Sequence, residues 1–184
     1  MTTREKILDI AKDLIQCKGY NAFSFNDISK PLSVKNAAIH YHFPSKEILG
    51  CAVIDQERVR LCEWSKLTAH LDYIEQLDQF FGIYDNNLKN NRICMVGSLS
   101  SDYMAIPESM QQSLRIMVKE VTDWLTQLLE EGRKAQTFHF EGTAEDKASV
   151  VVTSLAAGLQ IARVVGGEKF QKIKNQIKLD LTIN

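Results

Sequence analysis

The chain has 184 residues, 45% apolar and 24% charged, with a formal net charge of −1, a length and balance that suit one soluble domain or a small head on a larger body. The total hides an asymmetry, since residues 1–50 carry seven Lys and Arg against five Asp and Glu and the remainder carries fifteen against eighteen. A mildly basic start on an acidic body is compatible with a nucleic-acid partner, and the absence of an evident membrane-spanning run or secretory start argues against a membrane or exported protein.

Thr2 and Glu5 form a capping-box pattern, and Ile7, Leu8, Ala11, Leu14 and Ile15 follow at helical spacing until Gly19. A first helix is therefore expected over about 3–18. Ser24 and Asp27 repeat the start signal, and Pro31 keeps the helix they open short. Leu32, Ser33 and Val34 make a turn, and a second short helix spans about 35–42 with Ile39 and Phe43 facing inward. Pro44 and Ser45 end it and cap the next helix, which begins at Lys46 and carries Glu47 in its first turn, where the helix dipole favours negative charge.

Further helices are expected over 48–64, 72–90 and 107–134, the last opened by Pro107 and striped by Met110, Leu114, Met117, Val121, Trp124, Leu125 and Leu128. The intervening RICMVGSLSSDYM suits a short helix lying across others. After the loop GRKAQTFHFEG, Thr143–Asp146 opens a nearly all-apolar helix to about 164, and Phe170, Ile173, Ile177 and Leu181 stripe the last one. A helix apolar on more than one face is buried on more than one side, as in a subunit interface. The expectation is an all-α fold: a head over 1–48 and a body over 49–184.

The densest chemistry lies in Ser24–Lys46, SFNDISKPLSVKNAAIHYHFPSK. Two short helices across a tight turn suggest a helix-turn-helix whose second helix enters the major groove. There, Asn36 and His40 share one face and Ala37 and Tyr41 the neighbouring row. Asn36 suits a paired contact to adenine, and Ala37 or Ala38 suits a thymine methyl. Lys35, Lys46, the Tyr41 hydroxyl and Ser24 suit phosphates. His40 and His42, two apart on a helix, diverge and make a poor chelate, so no metal is expected.

ILDIAKDLIQCKGY, FSFNDISKPLSV and above all IHYHFPSKEIL resemble the TetR family of bacterial one-component repressors. The resemblance covers residues 3–54 and supports Lys35, Tyr41, His42 and Lys46 as DNA-side positions. It implies a homodimer paired through its last two helices, a roughly palindromic operator on double-stranded DNA, and release by a small-molecule effector. This sequence departs from the family pattern at Ser33, Pro31, Lys35, Ala37-Ala38 and His40, so an operator borrowed from relatives does not transfer.

In the body, Trp64, Phe80, Tyr84, Tyr103, Met117, Trp124 and Leu128 are candidates to line an effector cavity, or simply to form core. Cys94, in RICMVGSLSSDY beside Arg92, resembles a stretch of a TetR subgroup that includes electrophile-responsive and acrylate-responsive regulators. It is thus either a reactive thiol, made acidic by the cation, or a buried structural cysteine. Cys17, Cys51, Cys62 and Cys94 show no CxxC and no zinc-like spacing, which suits reduced thiols in a cytoplasmic protein. No phosphate loop, nucleophile elbow or ligand cluster is present, so neither catalysis nor a cofactor is expected. The alternatives to an effector-released repressor are a Cys94 thiol switch and a DNA-binding dimer with no ligand.

Overall fold

The structure, a computed structural model, describes residues 1–182. Among them are nine α-helices, two 3₁₀ turns and no strand, which makes the chain all-α. In α1 (Thr3–Lys18) the Thr2 amide donates to the Glu5 carboxylate at 2.7 Å, and the Thr2 hydroxyl accepts from the Glu5 amide at 3.3 Å. This satisfies two donors that a helix start otherwise leaves open. Gly19 ends the helix at φ +94°, a conformation that side-chain-bearing residues avoid.

After a 3₁₀ turn at Tyr20–Ala22 come α2 (Phe25–Leu32), with Pro31 in its last turn, and α3 (Asn36–His42). The Ser45 hydroxyl accepts from the Ile48 amide at 3.1 Å and starts α4 (Lys46–Thr68), which runs a turn beyond the expected Trp64. Asp72 and Glu75 cap each other's backbone at the start of α5 (Tyr73–Lys89). The Arg92–Met104 stretch, where a short helix is expected, holds α6 (Met95–Ser101), and a 3₁₀ turn at Tyr103–Ala105 follows. Then come α7 (Glu108–Lys134), α8 (Ala144–Val165), capped by the Thr143 hydroxyl on the Asp146 amide at 3.0 Å, and α9 (Gly167–Thr182).

The helices pack into two compact units, one of Met1–Arg60 with Met95–Met117, the other of Leu61–Cys94 with the chain from Val118 onward. In the first, Ile7, Ile15, Ile28, Ile39, Phe43, Leu49 and Leu99 join one apolar cluster. Fully burying a side chain of this size contributes about 1.5–3 kcal/mol. Around that cluster, the Ser98 hydroxyl donates to the Ile15 carbonyl at 2.6 Å, tying α6 to the end of α1. Lys12–Glu57 and Arg60–Asp9, both at 2.6 Å, tie α1 to α4. Gly50 lets the end of the Met110 side chain pack close to the backbone of α4, since a Cβ there would lie 2.5 Å from the Met110 sulfur and the side chain would have to move.

In the second unit, α8 packs on α9 with Gly158 against Phe170, where an added Cβ would stand 3.0 Å from the ring. Lys174 of α9 is buried against Phe170, and its ammonium reaches both oxygens of Asp85 on α5. Lys178 pairs with Asp78 at 2.6 Å one turn on.

Ala144–Val165 is long and apolar enough to cross a membrane by length and composition, because residues 148–162 hold no charge. Only 39% of its apolar window is buried in the chain. Val150, Ile161 and Val164 stand exposed along it, so its apolarity exceeds what the chain's own core covers.

Candidate nucleic-acid interface

The α2–α3 pair is built by a backbone turn. The Ser33 amide donates to the Lys30 carbonyl at 3.0 Å and the Val34 amide to the Ser29 carbonyl at 3.1 Å, while Ser33 adopts φ 55°, ψ 38°. This is a left-handed conformation taken by a residue other than glycine, at a cost that the neighbouring core contacts offset. From that turn α3 departs, with Ile39 its one buried residue and Phe43 buried just beyond its end. The rest of the helix faces outward.

Asn36, Ala37, His40 and Tyr41 are exposed, and Ala38 and His42 are half-buried. Tyr41 keeps 84% of its surface in water, unusual for a ring that has apolar alternatives nearby. Lys35 is exposed at the N-cap and makes no side-chain cap. The His40 ring stands edge-on to Phe25 of α2, centroids 4.7 Å apart at 70°, and Tyr41 meets His42 at 5.2 Å and 79°. These contacts hold the rings upright without hiding them.

Three of the expected DNA-side residues carry commitments within the protein. The Asn36 side-chain oxygen accepts from the Ser29 hydroxyl at 2.5 Å. The Ser24 amide and hydroxyl both donate to the Asp27 carboxylate at 2.8 Å, and these two bonds hold the exposed Asp27 acid below its ordinary range. The Lys46 ammonium donates to the Phe23 carbonyl at 2.5 Å and lies over the rings of Phe23 and Tyr20, at 4.3 and 4.7 Å from their centroids. Burial lowers its pKa, and Asp27 nearby partly opposes that. Burial likewise pushes the Tyr20 phenol up to about 12, with Glu47 and Cys51 adding to the shift.

The family model for bacterial regulatory proteins of the tetR family matches residues 7–50, the span of α1 to the start of α4. A TetR transcriptional regulator from Legionella pneumophila is 30% identical, with 99% of this chain and 98% of that one covered and a TM-score of 0.87. A TetR-family transcriptional regulator from Agrobacterium tumefaciens is also 30% identical, with 97% of each chain covered and a TM-score of 0.90. The chain belongs to the TetR family. Its members are transcriptional regulators that bind DNA operators as dimers. The HTH-type transcriptional repressor NemR of Escherichia coli K12 is 26% identical over 186 residues, which cover 95% of this chain and 90% of that protein.

The candidates beyond the head of this TetR-family chain fall in both units. Trp64, Phe80 and Trp124 form one aromatic cluster, with Trp64–Trp124 centroids 4.9 Å apart and Phe80–Trp124 5.0 Å apart. Tyr84 joins through Phe80 at 5.3 Å, and deep burial, aided by Cys94, raises its phenol well above the ordinary range. A cleft of about 280 Å³ lies beside the cluster, lined by Trp124 and Leu128 together with Ser65, Lys66, Gln76 and Glu131. Met117 and Tyr103 belong instead to the unit of the helix-turn-helix, where Met117 joins the apolar cluster and Tyr103 packs against it. The Tyr103 hydroxyl accepts from Arg115. Cys94 is buried and Cys51 half-buried, whereas Cys17 and Cys62 are exposed.

Sequence reasoning passed over Ser29, Phe25, Tyr20 and Phe23. A signal existed for Ser29: with Phe25, Ile28 and Leu32 it falls on the inward face of α2, and a buried serine needs a partner. Nothing in the spacing announces the Lys46 cage, which closes over more than twenty residues of chain.

Proposed function

We propose that this protein is a homodimeric, cytoplasmic transcriptional repressor. In this reading residues 1–48 grip an operator, and residues 49–184 pair the subunits through α8 and α9 and take a small-molecule effector. The observation that carries the reading is α3 itself, a helix with one buried residue and a solvent face of Asn36, Ala37, His40 and Tyr41. On a recognition helix those side chains meet base edges, with Ala38 close to them. Lys35, the Tyr41 hydroxyl, His42, Ser24 and Lys46 lie toward the phosphates. Lys46 has the weakest claim, because the Phe23 carbonyl and two rings already hold its charge.

Repression rather than activation draws support from the name of the NemR relative. Pairing draws support from the exposed Val150, Ile161 and Val164 on α8 and Leu179 on α9, an apolar surface that a second copy would cover. The aromatic cluster of Trp64, Phe80 and Trp124 with its adjoining cleft supports an effector site in the body. An effector bound more tightly by a DNA-incompetent arrangement would shift the population off the operator. A thiol switch at Cys94 has less support, since a buried thiol is withheld from reagents. No catalytic role is proposed.

The test is to select fragments of the host genome bound by the protein and place one upstream of a reporter. Expression of the protein should lower reporter output from the selected fragment and leave a scrambled one unchanged. A rise in output would make the protein an activator, and no fragment enriched over random DNA would overturn the reading.

A further inference from the structure

The Asn36 amide is turned by a buried hydroxyl. Ser29 Oγ lies 2.5 Å from Asn36 Oδ1 and 3.4 Å from the Asn26 carbonyl oxygen. A hydroxyl has a single hydrogen, so the nearer acceptor takes it. The amide oxygen therefore faces α2 and Ser29, which is itself 4% exposed, while the Asn36 residue as a whole is exposed. What Asn36 offers outward is its amino group, a pair of donors.

The paired contact that asparagine makes to adenine needs both ends of the amide aimed at the base, oxygen toward the adenine amino group and nitrogen toward N7. A carbonyl oxygen that accepts from Ser29 keeps one lone pair for an adenine amino group, so that end of the paired contact is weakened, while the amino group keeps both of its hydrogens. Guanine, by contrast, presents two acceptors in the major groove, O6 and N7, and these suit an edge that chiefly donates. We propose that Ser29 is a positioning residue for base reading: by holding the Asn36 oxygen, it makes Asn36 a guanine-preferring rather than an adenine-preferring side chain. The inference rests on α3 being the recognition helix, and it adds the base class that this helix selects and a residue of α2 that sets the choice.

The experiment uses the full chain and a DNA site recovered by fragment selection. Each base pair of one half-site is changed in turn to the other three, and affinity is read by fluorescence anisotropy at several salt concentrations. Wild type should prefer guanine over adenine at one position by about tenfold, and Asn36→Ala should erase that preference there alone. Ser29→Ala releases the amide to turn, so the guanine-to-adenine ratio should fall to within about twofold while the salt slope stays that of wild type.

Asn36→Asp places acceptors where the amino group was, so preference should move to a base carrying an amino donor, adenine or cytosine. A Ser29→Ala protein with the wild-type ratio would overturn the proposal, as would a wild type that prefers adenine at the Asn36-dependent position. So would an Asn36→Ala protein with every preference intact. If circular dichroism finds Ser29→Ala unfolded, Ser29→Cys, which keeps the volume and weakens the donor, takes its place, and a wild-type guanine-to-adenine ratio there would equally overturn the proposal. These results leave the DNA-binding reading standing, whereas a wild type that binds all DNA alike overturns both.

Discussion

Helices α3 and α8 both leave side chains in water that a self-contained protein would cover or replace, but the two surfaces differ in kind. α3 is seven residues long and exposes an amide, an imidazole and a phenol around one buried isoleucine. α8 is twenty-two residues long and exposes Val150, Ile161 and Val164 beyond a well-filled inner face. Polar, aromatic side chains held upright by neighbouring rings suit hydrogen-bonding base edges, and a line of aliphatic groups suits another apolar surface. Exposure alone says that something is missing, and the chemistry of what is exposed says which kind of partner.

The largest expected effect breaks the α3 side of this comparison from within. Ile39→Ala removes the one buried anchor of α3 and should cost about 2–5 kcal/mol of stability, with DNA binding lost in step. Urea unfolding followed by circular dichroism measures it. A loss under about 1 kcal/mol would mean that α3 is held by something other than this contact.

Next comes the α8 side. Ile161→Asp with Val164→Asp places two charges on the aliphatic stripe and should yield a monomer by sedimentation. Affinity for a two-half-site operator should fall about a hundredfold, because the second head no longer acts at a high effective concentration. A doubly substituted protein that remains a dimer would move the interface off this face.

A smaller effect separates structure from recognition at Lys46. Lys46→Ala removes the bond to the Phe23 carbonyl and the contacts with two rings, so the head should lose about 1–2 kcal/mol of stability. If the cage is its main work, the slope of log affinity against log salt changes by less than about half a unit; a full unit would reinstate it as a phosphate contact. The smallest effect is at Ser33. Ser33→Gly relieves the left-handed turn but adds unfolded-state entropy, so a gain of about 0.5 kcal/mol is expected, visible as a slightly higher melting temperature.

Much of the fold was legible because its signals are local. The Thr2–Glu5, Ser24–Asp27 and Thr143–Asp146 starts each sit within four residues of chain, and Gly19 and Gly166 close helices at positive φ. The Asp72–Glu75 start obeys the same rule and was legible by it, though it went unremarked in the sequence. What spacing did not reveal depends on how helices meet. Asn36 looked able to present both ends of its amide until α2 brought Ser29 to its oxygen. Lys46 looked like an exposed cation until the turn before α2 brought Tyr20 and Phe23 beneath it. Tyr103 and Met117 share the aromatic and apolar character of Trp64 and Trp124, yet they pack in the unit of the helix-turn-helix. Periodicity identifies which face of a helix is apolar but does not say which neighbour covers it.

The central claim is that two copies of α3 read one DNA site. It is tested most directly by titrating the full-length protein onto a selected fragment, with anisotropy for affinity and sedimentation for stoichiometry, while one half-site is scrambled and the spacing is varied. The account predicts a dimer on two half-sites about one helical turn or a multiple apart, with scrambling either half lowering affinity about a hundredfold or more. Equal binding to intact and scrambled fragments, or one independent monomer per site, would contradict it.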